Sequence, residues 1–222
     1  MAYRRTDRVL NRLAARHAAI IAAAGELAAE VGMDAVQIVP VAARAGIAAG
    51  TVYRYFPSKT ELVAALVAGI AEREVAAIRE AASAAPGPLS ALVAAIVAFS
   101  VRAVRARRLA SAVLAEPIER QEDTPGLSYR AALVAEFEPR IRAAIESGNL
   151  PAQDAMRAAT AVVGALIEGL LGPLAPPPTG RADVQALALF VLRAVGVADA
   201  RARGLVVQAE WPSDDGGRTE AR

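Results

Sequence analysis

The sequence predicts an all-α fold of about nine helices, and three observations carry that expectation. Hydrophobic residues make up 55% of the 222-residue chain but aromatics only 4%, which calls for an interior packed from alanine and leucine. Apolar residues recur at the three-and-four spacing of a helix face. Glycine and proline fall between those runs, where they stop helices.

In chain order, Leu13, Ile20, Ala24, Leu27 and Val31 share a helical stripe ahead of Gly32, so a first helix is expected from about Asp7 to Val31. A short second helix, Ile38 to Ala45, carries Pro40 in its first turn, where amides lack intrahelical acceptors anyway. A third runs from Ala49 to Tyr55. The fourth starts at Lys59, presents Leu62, Leu66 and Ile70 on one face, and ends near Ser83 before Pro86-Gly87-Pro88. Further helices are expected over Leu89 to Arg107, Leu109 to Glu116, Leu127 to Ser147, Ala152 to Leu171 and Asp183 to Val197. Polar residues around Pro117 and Thr124-Pro125-Gly126 separate the sixth from the seventh, Gly148-Asn149 and Gly172-Pro173 close the next two, and Pro176 to Pro178 form a connector. After Asp199 the chain turns rich in arginine, glycine and aspartate, which predicts a poorly ordered tail over 201–222 with Trp211 isolated in it. The expected organisation is a helix-turn-helix head over 1–57, a connecting fourth helix over 58–85, a helical domain over 86–200, and the tail.

Val41 to Leu62 is the most informative stretch. Two short helices flank Gly46, whose backbone freedom permits a tight reversal, and Thr51 to Phe56 place hydroxyls, a guanidinium and aromatic rings on the second of them. Ser58-Lys59-Thr60-Glu61 has the form of a capping box, which sets where the fourth helix begins. This is the layout of a duplex-docking device. Thr51 and Tyr53 are placed to meet phosphate or a thymine methyl, and Tyr55 lies at the groove edge. Lys59, the chain's sole lysine, stands at a helix start where amides attract phosphate. Phe56 reads as core between the first and fourth helices.

Charge agrees. Up to residue 60, eight cations (Arg4, Arg5, Arg8, Arg12, Arg16, Arg44, Arg54 and Lys59) stand against Asp7, Glu26, Glu30 and Asp34, an excess of +4 in a chain of total +2, which leaves the rest at −2. Ordinary surface solvation is the bland alternative. There is no cysteine, hence no disulfide, thiolate metal site or thiol nucleophile. No secretory signal is visible, and Pro86-Gly87-Pro88 leaves only about 20 Å of apolar helix from Leu89 to Val101 against a ~30 Å hydrocarbon layer, so a cytoplasmic chain without a membrane span is expected. His17, the lone histidine, lacks the partners of a metal ligand or general base and reads as structural. No nucleophile, base and orienting group line up, so no catalytic, metal or cofactor residue is assigned and an enzyme is not expected.

Across Ile20 to Leu66 the chain resembles the TetR family of bacterial transcription regulators. The resemblance rests on Ala23 to Gly32, Ala42-x-x-Ala45-Gly46-Ile47, Gly50-Thr51-Val52-Tyr53-Arg54-Tyr55-Phe56, Ser58-Lys59 and Leu62. It implies a DNA-binding set of Gln37, Ala49, Gly50, Thr51, Tyr53, Arg54, Tyr55 and Lys59. Two departures stand out. Gln37 replaces the usual threonine or serine cap of the second helix, a weaker cap by roughly 1 kcal/mol. Ala48-Ala49-Gly50 deprives the third helix of polar groups at its front, so base reading falls to Gln37, Thr51, Tyr53 and Arg54, with Arg4 or Arg5 entering the minor groove from a flexible arm. Arg54 reads equally as a solvated charge.

The resemblance further implies that the C-terminal helices dimerise and enclose a ligand cavity. Val162, Val163, Leu166, Ile167 and Leu170, with Leu187 and Phe190, form a candidate two-fold interface beside Gly164 and Gly169; burial within their own domain is the alternative. Phe99, Ser100, Arg102, Tyr129, Glu136 and Phe137 are candidate cavity residues, with ordinary core and surface as the alternative. The expected function is a ligand-responsive regulator, a repressor in the first instance. As a homodimer it binds a palindromic double-stranded operator and is released by an unidentified small-molecule effector. The alternative is a helical binding module of this shape without operator recognition.

Overall fold

The computed structural model describes residues 3–114, 129–174, 176–178, 180–209 and 211, with side chains from Leu10 onward. The expected loop around Pro117 and Thr124-Pro125-Gly126, the start of the seventh helix and the tail beyond Trp211 lie outside them. The described residues are helical throughout: α1 Tyr3–Glu30, a 3-10 turn Met33–Ala35, α2 Ile38–Arg44, α3 Ala49–Tyr53, α4 Lys59–Ser83, α5 Pro88–Arg105, α6 Arg107–Leu114, α7 Tyr129–Glu146, α8 Ala155–Leu171, α9 Arg181–Ala194 and α10 Asp199–Gln208. The chain divides into two compact units. One holds the residues up to Glu72 together with α6; the other holds Arg73 to Arg105 and the residues from Arg130 on. The division falls inside α4, rather than at Pro86-Gly87-Pro88.

In the first unit, the expected stripe of α1 is buried through its middle and C-terminal half, at Ile20, Ala24 and Leu27, whereas Leu13 and Val31 are exposed. Ile38, Val41 and Ala42 of α2, Val52 of α3, Phe56, and Leu62 and Leu66 of α4 complete this core. Phe56 is core, as expected. Helix α1 is longer than the expected Asp7 start: the backbone is already helical at Tyr3, so Arg4 and Arg5 sit on a helix rather than a flexible arm. The residues from Tyr3 to Asp7 contain no glycine or proline to stop the helix from extending.

In the second unit α5 is the central helix and packs against α8, α9 and α10. It is long and apolar enough to cross a membrane by composition, but Leu92, Val93, Ile96, Val97 and Phe99 are spent on the protein's own core. Helices α8 and α9 approach closely at Gly169, where an added Cβ would lie 2.7 Å from Leu187 Cδ1. The turn after α9 brings Gly196 (φ 97°) so near Pro151 that a Cβ would meet its ring at 2.6 Å.

The expected disordered tail is corrected by α10. Ala202 and Val206, four residues apart, are buried against neighbouring helices, while Asp199 ties Arg203 on its own helix and Arg193 at the end of α9. Hydrogen bonds from Arg203 and then Arg193 hold the Asp199 carboxyl below its ordinary range. A composition dominated by charge hid two small apolar residues at helical spacing, which suffice when a partner surface is already formed.

Candidate nucleic-acid interface

The candidate site is built on the reversal between α2 and α3. Gly46 adopts φ 64°, and the Ile47 amide donates to Ala42 O (3.0 Å) and the Gly46 amide to Ala43 O (3.2 Å), the paired bonds of a glycine-closed helix end. Ala48 then begins α3 without a side-chain cap, and the Gln37 side chain does not cap α2 either; its amide donates to Asp34 O at 3.2 Å. Gln37 itself is exposed. The helix pair is instead fastened by Arg44. Its guanidinium meets both oxygens of Glu30 (2.8 and 2.6 Å) and Glu26 Oε2 (3.3 Å), which joins the end of α2 to the last turns of α1. That hydrogen bonding lowers the Glu30 carboxyl and raises Arg44. The clamp was overlooked in the sequence, although Glu26 and Glu30, one helical turn apart, are its visible half.

Helix α3 has one buried side and one open side. Val52 is fully buried and Phe56 nearly so, which turns Ala49, Gly50, Thr51, Tyr53 and Arg54 toward solvent to different degrees; Tyr53 is 52% exposed. Tyr55 is half-buried, its ring 6.4 Å from His17, and His17 also packs tilted on Phe56 at 4.9 Å. His17 is thus a structural contact of the head. The capping box forms at α4: the Glu61 amide donates to Ser58 Oγ (3.1 Å) and that hydroxyl donates to Glu61 Oε1 (3.4 Å), which leaves Lys59 exposed on the first turn. With Arg44 neutralised by Glu26 and Glu30, Arg54 and Lys59 carry the local positive charge; among the described residues neither is in an ion pair. Tyr53, Arg54 and Lys59 are thus exposed and Thr51 half-buried along the segment from α3 to the first turn of α4, with Gln37 exposed just before α2.

The candidate cavity residues are placed differently. Phe99, Phe137 and Tyr129 are buried, and Ser100 is buried with its hydroxyl donating to Ile96 O (2.7 Å). Glu136 is buried between Arg79 (2.7 Å) and Arg140 (2.8 Å), and Arg102 pairs with Glu74 (2.5 Å). Two clefts, of about 480 and 460 Å³, open among the described residues of the second unit, and none of these six lines either of them. Their polar groups serve the packing of α4, α5 and α7.

The candidate dimer set also splits. Val162, Val163, Leu166, Ile167 and Leu170 are buried within their own unit, so the alternative reading holds for them, because the α8 face they form is the one α5 and α9 cover. Leu187 is half-buried, and Phe190 stands 59% exposed. The outward face is made of smaller residues: Ala158, Ala161 and Ala165 of α8 and Ala194 of α9 line the larger cleft beside Phe190.

A glycine-closed α2, a short α3 with one polar open face and a capped α4 define a helix-turn-helix protein. Residues 20–66 match the family model of bacterial regulatory proteins, tetR family. Over 58 residues the chain is 47% identical to the HTH-type transcriptional repressor KstR of Rhodococcus jostii (strain RHA1), an alignment spanning 26% of this chain and 27% of that repressor. The head, residues 20–66, is thus similar to that of the TetR family of bacterial regulators. The match to that curated relative thus spans about a quarter of its length. Solved structures extend the likeness in fold. RolR in complex with resorcinol superposes with a TM-score of 0.66 at 24% identity over 92% of this chain and 98% of that one. A gamma-butyrolactone receptor does so with 0.60 at 19% identity over 89% and 97%.

Proposed function

We propose that the protein is a ligand-responsive transcriptional regulator, a repressor acting in the cytoplasm, that binds a palindromic operator as a homodimer and is released by a small-molecule effector. The observation that carries the reading is a half-buried Thr51 and an exposed Tyr53 on α3, with Arg54 exposed at its end and Lys59 exposed on the first turn of α4, over the buried Val52 and Phe56. Hydroxyls and a lysine beside helix-start amides suit phosphate, and an arginine suits guanine. One five-residue recognition helix discriminates weakly, so two copies, roughly 34–36 Å apart, are required. The groove of Ala158, Ala161, Ala165 and Ala194 beside Phe190 supplies a surface for that pairing, small residues receiving an aromatic ring from a second copy. Helix α4 is continuous from Lys59 to Ser83 and carries residues of both units, so a ligand bound in the body has a covalent path to the head.

The test is binding of the full-length protein to the DNA flanking its own coding region, followed by fluorescence polarisation across salt concentrations. Wild type should prefer that DNA to random duplex. Lys59→Ala should weaken both by a similar factor and reduce the salt slope by about one, whereas Arg54→Ala should relax preference at a single base position. Equal losses on specific and random DNA for Arg54→Ala would remove its readout role. The front of α3 favours a second reading. Ala48, Ala49 and Gly50 offer no side-chain hydrogen bond, as in a helical binding module that has lost operator recognition; that module would show no sequence preference at any salt.

A further inference from the structure

The cleft of about 460 Å³ lies where the end of α4, the start of α5 and the end of α10 meet. Its walls are Ala81 of α4, Ala84 and Ala85 just after that helix, Val93, Ala94 and Ala98 of α5, and Leu205 of α10, closed by Trp211. Alanine, the commonest residue of the chain, makes up most of this lining. Among the described residues, its polar side chains besides the indole are Ser90 and Gln208, and no charged one lines it. Trp211 is not a loose tail residue: the Arg181 guanidinium lies over its ring, 4.5 Å from the centroid, and holds it as a wall. Its indole Nε1–H is buried and has no acceptor. A buried donor left unpaired is costly, and native structures satisfy nearly all of them.

We propose that this cleft is a binding site for a neutral, mainly apolar small molecule carrying one oxygen acceptor, such as a ketone or ester. Its oxygen takes the Trp211 Nε1–H and its hydrocarbon fills the alanine-lined space. The volume suits a ligand of that size, and a few polar groups in an apolar wall are the usual makeup of such sites. A carboxylate is disfavoured, since among the described lining residues its desolvated charge meets no cation, Arg181 being stacked on the indole ring rather than lining the cleft. The site is distinct from the predicted set around Phe99, Arg102 and Glu136. It concerns binding to the body and stands whether or not the head reads an operator.

Trp211 is the chain's only tryptophan, so its emission reports the site directly in the full-length protein. Titration with 2-decanone should give a saturable emission change, and decanoate of matched length should bind at least tenfold more weakly. Ala94→Leu, which fills the cleft, should abolish the 2-decanone response while the protein keeps its helical circular dichroism. Ala84→Leu, on the exposed rim, is the second occluding variant should the first fail to fold. Trp211→Phe, followed by calorimetry, keeps the ring but removes the donor and should weaken 2-decanone about fivefold, the factor one hydrogen bond is worth. A linear, unsaturable response to 2-decanone, equal or tighter binding of decanoate, or an unchanged affinity in both occluding variants would each overturn the proposal. Loss of operator preference with the cleft titration intact would instead count against the DNA reading alone.

Discussion

Gly50 offers the sharpest test of the proposed interface, because protein stability and DNA affinity should move in opposite directions. It is the second residue of α3, is exposed, and is not among the glycines with positive φ. A Cβ built there meets no heavy atom within 4 Å. Within the protein alone, Gly50→Ala therefore adds helix propensity at no steric cost, worth about 0.5–1 kcal/mol. For a chain of this size that should raise Tm by roughly 2 °C. With no protein atom in range, whatever the methyl strikes must be a partner. If the front of α3 lies against the duplex, displacing it by a methyl should weaken operator binding about tenfold, or about 1.4 kcal/mol. Gly46→Ala is the internal control. It too meets open space, but its φ of 64° penalises any L side chain by about 1–2 kcal/mol, so Tm should fall by roughly 4 °C. The assays are differential scanning calorimetry and polarisation on the same preparations. A lower Tm for Gly50→Ala would refute the conformational argument, and a raised Tm with unchanged DNA affinity would refute the close approach of α3.

Three other outcomes follow from named contacts. Phe190→Asp should convert a dimer into monomers in sedimentation at micromolar concentration, since the change puts a charge beside an alanine groove that is otherwise free to pair; dimers of unaltered strength would discard that face. Arg44→Met should lower the Tm of the head at neutral pH and make no difference in acid. Glu30 is held below its ordinary 4.5, so the stability it brings is complete above that value and lost as pH falls through the depressed one; a Tm gap that persists in acid would contradict the assignment. Glu136→Ala should destabilise the second unit by about 3 kcal/mol in chemical denaturation, near the low end for a broken buried pair. Glu136 and Arg140 are 8% and 15% exposed, but Arg79 is 64% exposed and falls back on water. A loss well below 1 kcal/mol would mean the cluster is solvated.

The head was legible in the sequence because each of its parts is local. Gly46 needs only its own φ, Ser58 and Glu61 only each other, and the alternation of buried Val52 and Phe56 with exposed Tyr53 and Arg54 follows from helical geometry on a short segment. Helix α2 was placed within a residue at its end for the same reason. The Arg44 clamp was half legible, as an acidic pair on α1 whose cation comes from fourteen and eighteen residues away.

In the body, local pattern identifies the helices but not their inward faces. Val162, Val163, Leu166, Ile167 and Leu170 read as an interface in isolation, and only their packing under α5 and α9 shows that they are already covered and that the outward face is alanine with Phe190. Glu136 and Arg102 read as ligand anchors until Arg79, Arg140 and Glu74 arrive from other turns and helices. Helix α10 and the ordered Trp211 depend on surfaces formed by residues far away in the chain. Periodicity and turn chemistry are properties of a few consecutive residues, and so the sequence alone determined the helices, their stops and the head. Which apolar face is buried, which charge is paired and where space remains unfilled depend on contacts between distant segments, and those only the tertiary structure decided.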